Sequence, residues 1–453
     1  MKRIRWGTIL YALILAVLLM LAGWQLFTFL GLWTHRGNAS FASSEGGIVQ
    51  ELDQQAGILR PMRIYASSGE REGRSSLVDD QTGHYERLYE ASWQFMREVL
   101  SYGEETKILP KEEVTTEGAL CRYEYALSLD ARTVGERTGW LYTGNFSFQE
   151  IWMVPAQSVR ENAYVYLVDQ EEGQVLQIAS PGVQWQDEVN TKLLEAVGEI
   201  CSALGEKYLD ASYVFAGVFG RSFYFRDQGE PQTKILWDFT LEEFSRENSE
   251  KIAARFFDDS GLMRGKSYQE SAWIFTDDRC TVRIQDNGMI DYVKTPVDAR
   301  EDRISVDAAY DAAFAFLQQD LSHDEYPLGT YLCGIEETEE GYIFYWNYKA
   351  DDLPVIPGEA FLEENGMKAS IQIEVQNGEV YRYDRWRIQQ NRNLYRPWVI
   401  SEGAVEALDR FAEYEKEGWE KLDMVCLLEE DGTAAFYWRL SVSGVNCYER
   451  VRE

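Results

Sequence analysis

The sequence predicts an α+β fold, in which antiparallel sheets are covered by helices, following a single N-terminal transmembrane helix. Three observations lead to this prediction. One uncharged apolar run lies at the N-terminus. After it, apolar residues at helical spacing alternate with segments in which every second residue is apolar. Asn-Gly pairs stand between such segments, where they favour hairpins of antiparallel strands. We therefore expect a multidomain exposed region that ends in two similar α+β repeats.

The apolar run extends from Trp6 to Leu32 and contains no charged residue. As a helix it would be roughly 40 Å long at ~1.5 Å per residue, enough to cross a hydrocarbon core of ~30 Å. The alternative is a cleaved signal peptide with a small-residue site at 40–42. A signal h-region is much shorter than this run, which favours an uncleaved anchor.

Basic residues set the expected orientation of this anchor. Lys2, Arg3 and Arg5 precede the run, and the positive-inside rule therefore places the short N-terminus in the cytoplasm. The bulk of the chain then lies outside the cell membrane. We expect a single-pass membrane protein with an extracytoplasmic domain.

The predicted transmembrane helix also carries a candidate partner-binding face. Ala12, Ala16 and Gly23 lie on one side of it, and strips of small residues allow another membrane helix to approach closely. Gln25 adds a side chain that can form an interhelical hydrogen bond. The alternative is an ordinary lipid-facing anchor, and the sequence does not decide between the two.

Charge and cysteine content restrict the function of the exposed region. The chain has 44 Lys and Arg against 76 Asp and Glu, a net charge of −32. Such a surface argues against nucleic-acid binding, because phosphate contacts need a basic surface. Six cysteines are scattered without a CxxC pair, so both disulfides and buried thiols are possible. They are Cys121, Cys201, Cys280, Cys333, Cys426 and Cys447.

The pattern divides the chain into seven segments. A Gly- and Ser-rich stretch separates the anchor from the folded part, and a change to a helix-then-strands pattern marks the repeats. The segments are a cytoplasmic N-terminus (1–5), a transmembrane helix (6–33), a linker (34–57), an N-terminal α+β domain (58–180), a middle α+β domain (181–299), repeat 1 (300–398) and repeat 2 (399–453).

The N-terminal and middle domains show both periodicities. In the N-terminal domain a short extended entry (58–65) is followed by a helix (85–100) and by strands at 119–129, 146–154, 163–168 and 174–179. In the middle domain we expect a helix (189–204), strands at 213–220 and 222–226, and a second helix (241–257). The Asn287-Gly288 pair then predicts a hairpin within 272–293.

Each repeat begins with a serine that is a plausible helix N-cap, Ser305 in repeat 1 and Ser401 in repeat 2. Helical stripes and strands follow in both. The expected strands are 330–336, 341–348, 368–375 and 379–388 in repeat 1, and 422–428, 434–442 and 445–451 in repeat 2. Asn377-Gly378 predicts the last turn of repeat 1.

No catalytic, cofactor or metal site is predicted. The three histidines, His35, His84 and His323, are isolated, and no HExxH, paired CxxC or G-x-S-x-G motif occurs. Residues 261–267 (GLMRGKS) come near the phosphate-loop motif. They have one residue too few between the glycines and follow a predicted helix instead of a strand.

After the short cytoplasmic start and the single anchor, several segments of the chain carry a resemblance to a known family. They are 58–64, 255–258, 272–277, the hairpin 282–292, 342–344, 353–356 and the strand pair around Asn377-Gly378. Together they resemble the YycH family of membrane-anchored regulators in Gram-positive bacteria. The C-terminal repeats look like the fold of the companion YycI proteins, which is similar to PepSY-type domains.

This resemblance implies a non-enzymatic function in signal transduction. Members of the family act beside a YycI-like partner and modulate the YycG (WalK) sensor histidine kinase, a two-component system that controls cell-wall metabolism. Their contacts run through membrane helices and exposed domains. The alternative is an extracytoplasmic binding module for a cell-wall polymer or a peptide. An extracytoplasmic hydrolase is disfavoured by the histidine and motif survey.

Overall fold

The structure is a computed structural model, and elements and contacts are given for its described residues. These are 51–78, 83–103, 105–114, 118–158, 161–180, 187–213, 215, 223–226, 232–240, 245–257, 265–295, 304–324, 328–350, 353–400, 402–411, 419–428 and 433–452. Residues from Leu52 onward form one compact unit. The predicted anchor at 6–33 lies outside the described residues.

A nine-stranded antiparallel sheet forms the N-terminal half of this unit. Its strand order is β3-β7-β6-β5-β4-β1-β2-β8-β9, and β3 and β9 are its edges. The strands are β1 (Arg63–Ser67), β2 (Arg74–Val78), β3 (Glu105–Pro110), β4 (Leu120–Asp130), β5 (Ser147–Val154), β6 (Tyr164–Asp169), β7 (Gln174–Ala179), β8 (Tyr208–Asp210) and β9 (Tyr224–Arg226).

Two long helices pack on one face of this sheet. Helix α1 (Gly83–Tyr102) contacts β5 to β7, and α3 (Asp187–Leu204) contacts β1, β2 and α1. The short helix α2 (Ala131–Thr138) follows β4. Their apolar stripes recur every three or four residues, as predicted, because that spacing places them on the face that meets the sheet. Both predicted long helices of this half are confirmed.

A twelve-stranded sheet forms the other half. Its main path is β11-β12-β13-β14-β19-β18-β16-β17-β21-β22-β23, and β15 pairs with β16 beside that path. The strands are β11 (Gly265–Gln269), β12 (Ala272–Thr276), β13 (Cys280–Gln285), β14 (Met289–Lys294), β15 (Gly329–Glu337), β16 (Gly341–Ala350), β17 (Leu353–Pro357), β18 (Ile371–Gln376), β19 (Glu379–Trp386), β21 (Trp419–Leu428), β22 (Ala434–Val442) and β23 (Val445–Arg450).

Helix α5 (Val306–Leu321) covers β16, β18 and β19 of this sheet. Ser305 is its N-cap, as predicted, and its hydroxyl accepts a hydrogen bond from the Ala308 N–H. The smaller helices are α4 (Arg246–Ala253), α6 (Glu359–Glu364) and α7 (Ala404–Arg410). A separate two-stranded sheet pairs β10 (Gln232–Thr240) with β20 (Gln389–Ile400). The fold is therefore α+β with antiparallel-rich sheets, which confirms the predicted class.

Three local predictions differ from the structure. The helix of repeat 2 begins at Ala404 with Gly403 as its N-cap, not Ser401, because the Gly403 N–H is bonded by the Glu406 carboxylate at 3.0 Å. The helix expected at 241–257 is confined in the described part to α4 and a 3-10 turn (Ala254–Phe256). Tyr213 ends a 3-10 turn and does not start a strand, while 216–222 lie outside the described residues.

The predicted linker also ends earlier than expected. Residues 51–56 are helical, and Leu52 and Ala56 are buried on one face of that helix. Asp53 pairs with Arg60 at 3.0 Å. The sequence does not distinguish this short helix from a linker. Residues 51–57 include the Gln and Gly that are typical of linkers, and they also include Leu52 and Ala56 at the i, i+4 spacing of a packed helix.

Candidate functional site

The predicted partner-binding residues of the membrane helix, Ala12, Ala16, Gly23 and Gln25, lie outside the described residues. Within the part that is described, no helix is both long and apolar enough to cross a membrane. The membrane contact therefore stays a prediction. Any site that can be built from atomic contacts belongs to the folded unit.

Residues with catalytic potential are scattered in this unit. His84 is exposed at the start of α1, and His323 lies after α5 with its Nδ1 2.7 Å from the Gln319 carbonyl oxygen. No group of His, Cys, Asp or Glu among the described residues could hold a metal ion. In the phosphate-loop-like segment, Gly265 begins strand β11 where that motif would require a helix.

A group of bonded charged side chains lies where the two large sheets meet, and we call it the junction. Its first link joins β4 to β21, where the buried Glu124 accepts a hydrogen bond from the Lys421 ammonium group. Arg63 approaches the other Glu124 oxygen at 3.7 Å from the neighbouring strand β1. A single carboxylate therefore holds two cations from opposite halves of the molecule.

A second link of the junction joins α2 to α5. The Arg137 Nε lies 2.7 Å from Asp307, and its Nη2 lies 2.7 Å from Asp311. The guanidinium group passes directly over Gly57, where an added Cβ would lie 2.2 Å from the Arg137 Cζ. Gly57 also has a φ of +55°, so this close approach requires glycine for two reasons.

Arg60 and Lys349 complete the junction. Arg60 pairs with Asp53 and donates a hydrogen bond of 3.0 Å to the Thr330 carbonyl oxygen on β15. The Lys349 ammonium group on β16 donates at 3.3 Å to the Met62 carbonyl oxygen, just before β1. Four cationic side chains thus cross between the halves, and three of them, Lys421, Arg137 and Arg60, are each paired with a carboxylate.

Burial and pairing act in opposite directions on the junction carboxylates. Burial alone would raise the pKa of Glu124, but Lys421, Arg63 and Arg122 together hold that pKa well below its usual range. Burial raises the pKa of Asp307 to about 6, because Arg137 compensates only part of the lost hydration. The two carboxylates therefore respond to acid with opposite signs.

A second buried network lies beneath α5, and we call it the Arg385 cluster. Arg385 is 1 % exposed and bonds both Asp320, at 2.5 Å, and Asp324. Asp320 also accepts a hydrogen bond of 2.7 Å from the Tyr383 hydroxyl. Burial opposes ionisation of Asp320, yet Arg385 and Tyr383 keep its pKa below the ordinary value. These contacts fix the end of α5 on β19.

Neither network has the arrangement that chemistry on a substrate requires. Most of their charged groups are buried or half-buried and bonded to one another, whereas a general acid or base must reach a substrate proton. The junction instead couples the two halves of the fold, and the Arg385 cluster fixes α5 on the sheet of its own half. Contacts with another protein must use side chains that are exposed.

Sequence reasoning named neither network. The available signal was a charged residue in the middle of an apolar strand, such as Glu124 in β4 or Arg385 in β19. Buried charges are nearly always paired, so such positions point to a partner. The identity of that partner is not local, because Glu124 and Lys421 are 297 residues apart in sequence.

The cysteines are also resolved by the structure. No disulfide joins the described cysteines, and Cys121, Cys280 and Cys426 are buried. Burial raises the pKa of Cys426 to about 12. Burial raises the pKa of Cys121 as well, and a thiol with a raised pKa is a poor nucleophile, so Cys121 and Cys426 act as small apolar side chains.

Together these features define the chain as an α+β protein with two large antiparallel-rich sheets and a charged junction. No protein-family model matches the sequence, and no curated protein matches it. Among solved structures, the crystal structure of YycH from Bacillus subtilis is similar, with a TM-score of 0.54 and 14 % identity. The match covers 87 % of this chain and 96 % of that chain. It shows a YycH-like fold.

Proposed function

We propose that this chain is a non-enzymatic, membrane-anchored regulator that binds a WalK-type sensor histidine kinase and modulates its signalling in cell-wall metabolism. One observation carries the proposal: the YycH-like fold extends over 87 % of the chain. The anchor expected at 6–33 and the sequence resemblance support the same function. A YycI-like protein is the second expected partner.

Regulation by binding requires a difference in affinity between kinase states. A regulator that binds both states equally shifts nothing, and moving an equilibrium from one extreme to the other takes roughly 10⁴-fold preference. The paired charges of the junction favour a domain that presents its surface as one rigid body. Such a domain can prefer one kinase state without changing its own fold.

Deletion of the gene tests this function. We expect the level of the phosphorylated response regulator of the partner kinase to change in the deletion strain and to return on complementation with the full chain. A chain without residues 1–33 should fail to complement, because the proposed activity needs the anchor. An unchanged level in the deletion strain would contradict the regulator function.

The binding-module alternative has one supporting observation. Trp152, Tyr164 and Tyr166 lie on the face of the nine-stranded sheet opposite to the fully buried Ile151 and Val165, and the two tyrosine rings stack at 5.5 Å. Trp152 and Tyr164 are partly buried, and binding sites are lined largely by apolar and aromatic side chains. Binding of peptidoglycan fragments by the full chain, lost in Trp152→Ala, would favour this alternative over the regulator.

A further inference from the structure

The residues by which the chain enters the folded unit, 52–62, are largely buried in it. We call them the entry segment, and they consist of the end of the short helix, a 3-10 turn (Gly57–Leu59) and the approach to β1. Its buried apolar side chains are Leu52, Ala56, Ile58 and Leu59. A segment with so much apolar surface removed from water belongs to the core, although it is also the part of the folded unit closest in sequence to the expected anchor.

The entry segment contacts elements of the N-terminal half. Its 3-10 turn packs against α2, and the Leu59 carbonyl oxygen accepts a hydrogen bond of 2.9 Å from the Tyr125 hydroxyl on β4. The Met62 N–H donates one of 2.8 Å to the Glu124 carbonyl oxygen, and β1 begins directly afterwards. Because β1 is hydrogen-bonded to β2 on one edge and to β4 on the other, the entry segment ends at a firmly held strand.

The same few residues contact the other half. The 3-10 turn also packs against α5. Arg60 donates a hydrogen bond of 3.0 Å to the Thr330 carbonyl oxygen on β15, and its Cζ lies 5.6 Å from the centroid of the Phe314 ring on α5. Lys349 on β16 donates at 3.3 Å to the Met62 carbonyl oxygen. The entry segment is therefore packed between the two halves and bonded to both.

The direct link between the halves also depends on the entry segment. Arg137 on α2 reaches Asp307 and Asp311 on α5 by passing over Gly57, where any side chain would collide with its guanidinium group. A displacement of the entry segment removes packing from α2 and α5 together. The contact between the halves then loosens while each sheet keeps its own hydrogen bonds. With the segment in place the halves form one rigid body.

We propose that the entry segment is a movable wedge, through which a displacement of the membrane anchor changes the contact between α2 and α5. In the proposed function the partner kinase holds both the anchor expected at 6–33 and the exposed domain. A movement of one contact relative to the other pulls on the entry segment, and β1 stops the displacement. This inference rests on the proposed regulator function and adds the route by which a membrane contact reaches the exposed domain.

Pulling on the full chain in an optical trap tests the wedge. The handles are attached at position 45 and at Glu195, an exposed residue of α3, with the chain in detergent. We expect the first extension to release the entry segment alone, by up to about 40 Å, since each residue extends by at most ~3.6 Å. A first event that unfolds strands of the nine-stranded sheet would overturn the proposal.

Two matched variants show whether this event belongs to the entry segment. Leu59→Ala should lower the force of the first event, because it removes packing between the segment and its neighbours. Leu440→Ala also truncates a fully buried leucine, but in β22, and should leave that force unchanged. Equal forces in the two variants would contradict the wedge.

Amide exchange followed by mass spectrometry tests the consequence for the halves. In Leu59→Ala, the amides of α2 and α5 should exchange faster than in the parent, while those of β22 keep their protection. Leu440→Ala should show the reverse pattern. Unchanged protection of α2 and α5 in Leu59→Ala would mean that the entry segment does not control their contact, which would overturn the proposal.

Transmission from the anchor is tested in the deletion strain. An insertion of about ten Gly and Ser residues after position 45 keeps the anchor and the folded unit, but takes up a displacement before it reaches the entry segment. At equal protein levels, this variant should lose most of the change in response-regulator phosphorylation that the parent restores. The same insertion between Glu171 and Glu172, in the exposed turn after β6, is the matched control and should complement fully.

The two proposals fail separately. Full complementation by the variant with the insertion after position 45 would overturn the wedge and leave the regulator function intact. An unchanged response-regulator phosphorylation on gene deletion would remove the regulator function, and with it the role of the wedge in regulation. The pulling and exchange measurements would then still decide whether the entry segment controls the contact between the halves.

Discussion

At the scale of single residues, buried carboxylates decide how this molecule responds to pH. Glu124 and Asp307 both lie in the junction and both contact a cation, yet their pKa values move apart. Glu124 has Lys421, Arg63 and Arg122 around it, whereas Asp307 has Arg137 together with the nearby carboxylates Asp311 and Glu136. The balance of neighbouring charge, not burial alone, sets the sign.

The pH dependence of stability follows from these signs. The pKa of Asp307 rises from 3.8 to about 6 on folding, so the folded state binds an additional proton in that interval. The stabilising contribution of this group therefore falls as pH rises from about 4 to about 6 and stays low above that. In urea titrations, the free energy of unfolding of the parent minus that of Asp307→Asn should decrease over this interval.

Glu124→Gln is the control of opposite sign. Its pKa is lowered on folding, so its stabilising contribution is present above its ordinary pKa of 4.5 and is lost as pH falls below that value. The free energy of unfolding of the parent minus that of Glu124→Gln should therefore decrease as the pH is lowered. A flat or rising Asp307 difference between pH 4 and pH 6 would contradict the assignment.

At the scale of elements, helix caps and hairpin turns were predicted correctly where the backbone at one position favours a particular residue type. Ser305 caps α5 because its hydroxyl accepts the Ala308 N–H. Asn377 and Gly378 form the turn between β18 and β19 with φ values of +54° and +84°, which an Asn-Gly pair adopts readily. At Ser401 the same reasoning failed, because α7 starts three residues later and a glycine with a Glu406 contact supplies the cap.

Gly378 and Gly198 form a matched pair of positions for testing this backbone argument. Gly378→Ala forces a Cβ into the left-handed region and should lower the free energy of unfolding by about 1 kcal/mol. Gly198→Ala should raise it by about 0.8 kcal/mol, because Gly198 is inside α3 with no atom within 4 Å of the added Cβ. Urea denaturation of both variants measures the two changes. Equal changes in the free energy of unfolding for Gly378→Ala and Gly198→Ala would contradict the left-handed turn conformation at Gly378.

At the scale of the whole molecule, sequence reasoning predicted the fold class and the two hairpins joined by Asn-Gly turns, but not which strands distant in sequence meet. Strand β14 pairs with β19 across two helices, α5 and α6, and four strands. Strand β10 pairs with β20 across more than half of the twelve-stranded sheet. Strands β17 and β21 pair in parallel, joining the two predicted repeats in one sheet. Such pairings depend on packing between distant segments, and periodicity within a segment contains no information about its partner.

The surface is equally hard to predict from sequence. Leu141 lies between Trp140 and Tyr142, and the three residues read as one apolar group in sequence. Only the stacked rings of its neighbours show that the leucine points outward. The likeness to the YycH fold was accessible from sequence because it rests on many weak matches along the chain, while the exposure of Leu141 depends on the direction of a single side chain.

The junction should make the two large sheets unfold together. Glu124 and Arg137 connect the halves through buried pairs, and removing one member of a buried pair costs roughly 3 kcal/mol because the other charge is left uncompensated. With the junction intact, amide exchange followed by mass spectrometry in increasing urea should show β4 and β16 losing protection over the same range. In Glu124→Gln with Arg137→Met, the two strands should lose protection in separate steps.

A matched control separates coupling from a general loss of stability. Glu247→Gln removes a pair with Lys251 in which both side chains are largely exposed on α4, and such pairs contribute little. That variant should keep the single range of the parent. Separate steps already present in the parent chain, or a single step retained in the double variant, would contradict the coupling. The outcome bears on regulation, since a domain whose halves move as one can transmit a contact at its surface to the rest of the molecule without local unfolding.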